Sequence, residues 1–219
     1  MKRRVGILIS GRGSNMMALV AAARAPEFPA AIAVVISNRP AAPGLPLART
    51  AGIAALAIDH RQFASRETFD AAVEAELERR GVELVCHAGF MRIQSAAFAG
   101  RWLGRQLNIH PSLLPAFKGL AAPKQALDAG VRISGCTVHF VTPELDAGPI
   151  IAQAAVPVLP ADTPETLAAR ILTAEHRLYP LALQLVATAK VRLVAGKVVL
   201  DVGVDQGQRL LSPDADGAC

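Results

Sequence analysis

Five strand-like stretches of this 219-residue chain, four of them apolar almost from end to end, are separated by segments of helical character. They are VGILIS (5–10), AIAVVIS (31–37), AALAI (54–58), ELVCHAG (83–89) and RQLNIH (105–110). A strand with one wet face alternates apolar and polar residues. A strand that is apolar throughout is covered on both faces, which is the condition of a parallel sheet. Helix candidates lie near 15–24, 44–51, 66–80 and 95–102, with Ser65 as N-cap and Gly81 as C-cap of the third. The βαβα rhythm predicts a doubly wound α/β fold: a Rossmann-like, mostly parallel twisted sheet flanked by helices.

The rhythm then changes. CTVHFV (136–141) and PIIAQAAVPV (149–158) flank the loop TPELDAG and are expected to pair as a β-ribbon. A long helix is expected from about Pro164 to Ala189, with Pro164 in its first turn and Pro180 kinking or dividing it. VRLVAGKVVLD reads as a hairpin turning at Ala195-Gly196, and LLSPDADGAC as a frayed tail. The expected organisation is a single domain over 1–195, then the hairpin end and tail over 196–219.

Composition narrows the class. Hydrophobic residues make up 52 % and charged residues 19 %, which excludes a disordered chain. No apolar stretch approaches the roughly 20 residues of a membrane helix. The run Val5–Ile9 is shorter than the ~7–15 residues of a signal-peptide core, so the opening reads as the first strand of a cytoplasmic protein. Cys86, Cys136 and Cys219 show no CxxC spacing, which argues against zinc and against a disulfide framework. The net charge of +5 is dispersed except at Lys2-Arg3-Arg4, and no aromatic residues interleave with it. That pattern suits anionic small substrates better than nucleic acid.

Three stretches can carry chemistry. Ser10-Gly11-Arg12-Gly13-Ser14-Asn15 joins the first strand to the first helix. Its glycines let the backbone approach a ligand, and the helix start offers N–H groups to an anion. It is neither GxGxxG nor a Walker loop, so a compact phosphate cradle fits it better than a dinucleotide site. Taken alone, it reads equally as a tight turn with Ser14 as N-cap.

In LNIHPSLLP (107–115), Asn108 and His110 are two residues apart in an extended segment and share one face. Pro111 ends the ladder, which places His110 at the carboxyl edge, where parallel sheets bind ligands. An amide donor beside an acid/base suits a reaction that creates an oxyanion while a proton moves, such as acyl or formyl transfer. A polar strand end with His110 bonded to backbone is the plain alternative. The third stretch, Thr142–Pro149, is an irregular loop that presents Glu144 and Asp146. Either carboxylate could approach and support a histidine. Of the remaining histidines, His87 and His139 read as structural strand residues, His60 as loop surface, and His176 as structural or flanking a ligand. No histidine spacing marks a metal site.

Together LNIHPSLLP, VTPELDAGP and AGFMRI (88–93) resemble the folate-dependent formyltransferases over residues 4 to 195. Gly11–Asn15 narrows the resemblance to the branch that formylates glycinamide ribonucleotide in purine synthesis. The resemblance implies 10-formyltetrahydrofolate as co-substrate, no metal, no nucleic-acid or membrane partner, and a monomer or homodimer. By matching position it implies that Asn108, His110 and Asp146 are catalytic. Gly13, Ser14 and Asn15 would bind the phosphate, and Glu175 the ribose. Arg66, Met91, Arg92, Ile93, Gln94, Asn108, Thr142 and Asp146 would contact folate. Two departures stand out. The family often has a histidine soon after the Gly-Leu of this loop, where this chain has Ala121-Ala122-Pro123-Lys124, and Leu172 replaces a polar nucleotide contact of some relatives.

The same fold also serves methionyl-tRNA and amino-sugar formyltransferases and formyltetrahydrofolate hydrolases. The first usually carries a C-terminal tRNA-binding domain, which residues after 195 are too few to supply, and the hydrolase an N-terminal regulatory domain. A non-catalytic phosphate-binding module would not require the second polar cluster.

Overall fold

The computed structural model describes residues 1–201 and 203. Strand β1 (Arg3–Ile9) is buried at every position from Val5 onward, so neither of its faces is wet. It lies inside a seven-stranded sheet of order β3-β2-β1-β4-β5-β6-β7. Strands β2 (Ala30–Ser37), β3 (Ala55–Ala57), β4 (Leu84–His87) and β5 (Gln106–His110) continue it in parallel. Helices α1 (Ser14–Ala23), α2 (Gly44–Thr50), α3 (Arg66–Arg79) and α4 (Ala96–Arg101) connect them or lie between them. Ser65 caps α3 as expected, within a capping box closed by Thr68.

The strand order reverses beside β1. The chain moves from β1 outward to β3, then returns to place β4 on the other side of β1. The crevice at the carboxyl ends of β1 and β4 is therefore a topological switch point. The two faces are covered by different helices. Leu107 and Ile109 of β5 join Met16 and Leu19 of α1 and Leu183 of the long helix near the end of the described residues in one core cluster. Val85 of β4 joins Phe69 of α3 and Phe98 of α4 in the other. Burying each such side chain contributes about 1.5–3 kcal/mol.

One expectation extends and three need amending. Strands β6 (Ile133–Phe140) and β7 (Ile150–Pro157) pair antiparallel as expected, and β6 also pairs antiparallel with β5, so both extend the main sheet. A seven-residue helix, α5 (Ala122–Asp128), occupies the loop after Gly119. Helix α6 (Pro164–Ala187) runs unbroken through Pro180, because the buried side chains around it, Tyr179, Ala182 and Leu183, hold the turn against the loss of one hydrogen bond. Ser14 is not the cap of α1: Gly13 is, at φ 79°, with no side-chain cap bond.

The small hairpin β8 (Val191–Val194) and β9 (Lys197–Leu200) turns at Ala195-Gly196, so a boundary at 195 falls between its strands. The expected frayed tail and Cys219 lie outside the described residues. Among the described residues, no helix is long and apolar enough to cross a membrane.

Candidate active site

Two clefts open along the carboxyl edge of the sheet. The first lies at the switch point. Gly13 holds a left-handed conformation, and a Cβ there would come within 3.0 Å of the Gly44 backbone. This tight packing sets the first turn of α1 against the end of β1. The turn has no side-chain cap and no acidic residue, so the N–H groups of its first residues point outward without a competitor. Ser14 and Asn15 line this cleft, with Arg12 and Arg39 at its margin. Asn15 donates to Glu175 of α6 (Nδ2 to Oε2, 2.7 Å), and its own Oδ1 has no partner. Burial raises the Glu175 carboxyl above the usual range, and the Asn15 bond opposes that rise.

The second cleft lies between residues 90–94 and the loop 141–146. Its polar edge is made by β5, β6 and that loop. In the antiparallel β5–β6 register Asn108 faces His139, and their side chains meet (Nδ2 to Nε2, 3.2 Å). The other ring nitrogen of His139, Nδ1, donates to the Phe140 carbonyl at 2.9 Å. Nε2 therefore accepts from the Asn108 amide, which fixes both the tautomer and the amide orientation. Burial lowers the affinity of His139 for a second proton, which keeps it neutral.

Asp146 completes the row. Its Oδ1 lies 3.8 Å from His139 Nε2, and its Oδ2 lies 3.3 Å from His110 Nδ1. The Gly119 N–H donates to the same Oδ2 at 2.9 Å. His110 Nε2 donates to the Phe117 carbonyl at 2.8 Å. His110 thus has a backbone acceptor at Nε2 and the Asp146 carboxylate within ion-pair distance of Nδ1. The sequence offered two carboxylates for this role. Glu144 is exposed and pairs with Lys118, whereas Asp146 is 9 % exposed and turned inward at φ 47°. Gly148 permits this: a Cβ there would sit 1.7 Å from the Phe140 carbonyl oxygen.

The structure brings Asn108, His110 and Asp146 into one connected group, and Gly13, Ser14, Asn15 and Glu175 into another. Arg92, Ile93, Gln94 and Thr142 line the second cleft. Met91 instead borders the first, where its N–H donates to Ser10 Oγ at 2.7 Å. Arg66 is exposed at the start of α3 and lines neither cleft. His139, read as a structural strand residue, is satisfied by the Phe140 carbonyl and the Asn108 amide and also lies beside Asp146. Its only sequence signal is a place on a strand whose register the sequence does not state. His60 is half-buried against Asn38, and His176 lines neither cleft. Among the described residues, no group of three or more His, Cys, Asp or Glu is placed to hold a metal ion.

Known proteins are similar to this chain in sequence and fold. The profile of the formyl transferase family matches residues 3–183. The chain is 53 % identical over 192 residues to the trifunctional purine biosynthetic protein adenosine-3 of Bos taurus, covering 88 % of this chain and 19 % of that protein. It thus spans about a fifth of the length of that relative. It is 43 % identical to the phosphoribosylglycinamide formyltransferase of Escherichia coli, covering 93 % of this chain and 94 % of the other. Among solved structures, glycinamide ribonucleotide transformylase 1 from Symbiobacterium toebii superposes with a TM-score of 0.88 at 50 % identity, covering 91 % of this chain and 94 % of that one. Fold and sequence agree, and the chain belongs to the formyl transferase family.

Proposed function

We propose that the protein transfers the formyl group of 10-formyltetrahydrofolate to the primary amine of glycinamide ribonucleotide, giving formylglycinamide ribonucleotide and tetrahydrofolate in purine biosynthesis. The observation that carries this reading is the row Asn108–His139–Asp146–His110 along the edge of the second cleft, on the same sheet edge as a cleft of different chemistry at the start of α1. The outward N–H groups of α1, with Ser14 and Asn15, suit a phosphate. Glu175 then reaches the ribose hydroxyls. The slot bounded by residues 92–94 and 141–146 suits the flat ring of a folate, with Thr142 and Asp146 at its rim.

The residues divide the work. The α1 cradle anchors the nucleotide and so aims its amine at the formyl carbon. Asn108 has one amide hydrogen committed to His139 and one free, and the free one donates to the oxyanion that develops on the formyl oxygen. The new carbon–nitrogen bond forms as the bond to the folate nitrogen breaks. The amine loses a proton, and the departing nitrogen gains one. His110 carries that proton, with Asp146 supporting its charged form. A proton passed through Nε2 requires the Phe117 carbonyl to withdraw, so the loop 111–121 moves with turnover.

The test is an absorbance assay of folate deformylation, run with glycinamide ribonucleotide and without an acceptor. Turnover that depends on the nucleotide is expected. Acceptor-independent turnover would instead indicate a hydrolase, and activity only with methionyl-tRNA or an amino sugar would reassign the acceptor.

A further inference from the structure

The reaction described above uses Glu175 of α6 and leaves unexplained the only tyrosine of the chain, Tyr179, one helical turn further on. Its side chain is fully buried in the core. A phenylalanine would fill that space without a polar atom to satisfy, so the hydroxyl needs its own account. It lies 2.9 Å from the His87 carbonyl of β4 and 3.1 Å from the Leu107 carbonyl of β5, and shares its one hydrogen between them. Burial raises the hydroxyl well above its ordinary value, so it keeps that hydrogen and stays a donor.

The two carbonyls stand where the sheet opens. His87 and Asn108 form the last rung of the β4–β5 pairing. After that rung β4 bends away at Ala88-Gly89, while β5 runs on through Ile109 and His110 paired with β6. The residues that face the reaction are therefore carried by a strand that has just lost one neighbour. A strand end with fewer partners opens more readily than the rest of a sheet. The Leu107 carbonyl belongs to the planar peptide group that leads into Asn108, so a bond to it fixes the backbone from which the Asn108 amide projects.

The other end of this brace is α6. Glu175 and Tyr179 are four residues apart and share one face of the helix. Glu175 accepts from Asn15, which lines the first cleft, at 2.7 Å. One continuous helix thus meets the first cleft through Glu175 and the β4–β5 edge through Tyr179, and so sets the spacing between them.

We propose that Tyr179 is a positioning residue for formyl transfer: its hydroxyl holds the Leu107–Asn108 peptide at the last rung and keeps the Asn108 amide in register with the nucleotide seated against α1 and α6. This rests on the reaction assigned under the proposed function. Tyr179 touches neither substrate and acts through Asn108. Its loss therefore slows the chemical step and leaves both substrates bound.

The experiment compares the full-length chain with Tyr179→Phe, which keeps the ring and removes only the hydroxyl, in steady-state kinetics. The variant is expected to lower kcat about tenfold or more, with the nucleotide and folate KM within about twofold, as for a misplaced reacting group. A second arm adds Tyr179→Phe to Asn108→Ala. With no amide left to place, the further loss should stay below about twofold, whereas independent effects would multiply. Unchanged kcat in folded Tyr179→Phe, or losses that multiply in the double variant, would overturn the inference and leave the hydroxyl a bond of the fold alone. Wild-type chain without nucleotide-dependent turnover would refute the proposed function instead. The brace is then read from amide hydrogen exchange: Tyr179→Phe should speed exchange over residues 107–110, and unchanged exchange would overturn it.

Discussion

The two clefts lie on the same sheet edge yet are built in opposite ways. The cleft at the switch point is mostly backbone: a glycine at positive φ, an uncapped helix start and small side chains contributed by six consecutive residues. The cleft beside β5 is mostly side chain, gathered from β4, β5, β6 and two loops, with Asn108 held by His139, Gln94 by Gln106 and Asp146 beside His110. A binding site for a phosphate tolerates a simple construction, since N–H groups and a helix dipole suffice. A site that must move a proton needs ionisable groups in fixed relation, and only tertiary structure supplies that. Substitutions should therefore separate the two clefts, with rate effects on one side and binding effects on the other.

The largest effect is expected at His110. His110→Ala should lower kcat by about 10²–10⁴-fold, with the nucleotide KM and the circular dichroism spectrum unchanged. Unfolding instead would mean that His110 serves the fold through its bonds to Phe117 and Asp146. Next comes Asn108→Ala, expected to lose about 10²–10³-fold in kcat as one oxyanion donor disappears. Near-normal turnover there would break the division of labour. On the other side, Ser14→Ala combined with Asn15→Ala should raise the nucleotide KM by about 10–100-fold, as for two lost charge-assisted hydrogen bonds. A rise in the folate KM alone would show that the clefts are assigned the wrong way round.

The smallest effect is on stability. His87 has its folded affinity for protons depressed from the ordinary 6.5 to about 3, with burial as the main cause. The unfolded chain then binds the extra proton first, so stability falls as pH drops from about 6.5 towards 3. Between pH 6.5 and 5 this amounts to at most about 2 kcal/mol. Glu175 has the opposite sign: its carboxyl is raised, so acidification towards 4.5 favours the folded form. Melting curves from pH 7 to 5 should flatten in His87→Leu and steepen in Glu175→Gln. A pH dependence unchanged by both would show that neither group is held as described.

The same contrast decides what the sequence disclosed. The α1 cradle is local, so Gly11 to Asn15 could be read directly. The parallel half of the sheet was legible because its strands are apolar on both faces. Asn108 and His110 were legible as a same-face pair at a strand end. The partner of Asn108 was not, because His139 meets it only through the register of an antiparallel pair 31 residues apart. Met91 was grouped with its neighbours, but the turn after β4 directs it to the other cleft. Helix α5 gave little signal, since its N-cap Ala121 is left-handed and has no side-chain cap bond, leaving only Pro123 in the first turn to mark its start. Packing of Ala122 and Ala126 holds it instead.

Strand β5 sets a rule for how this protein can change. Its even positions, Gln106, Asn108 and His110, face the cleft, while its odd positions, Leu107 and Ile109, face the core under α1 and α6. Substitutions at these positions act one at a time. A single insertion or deletion within the strand would swap the two sets at once, sending the imidazole and amides into hydrocarbon and the aliphatic side chains to the substrates. Such a length change has no mild form here, whereas added residues in the exposed turn at Ala195-Gly196, which lines neither cleft, meet no such constraint. The β5 edge can change by exchanging letters and not by changing its length.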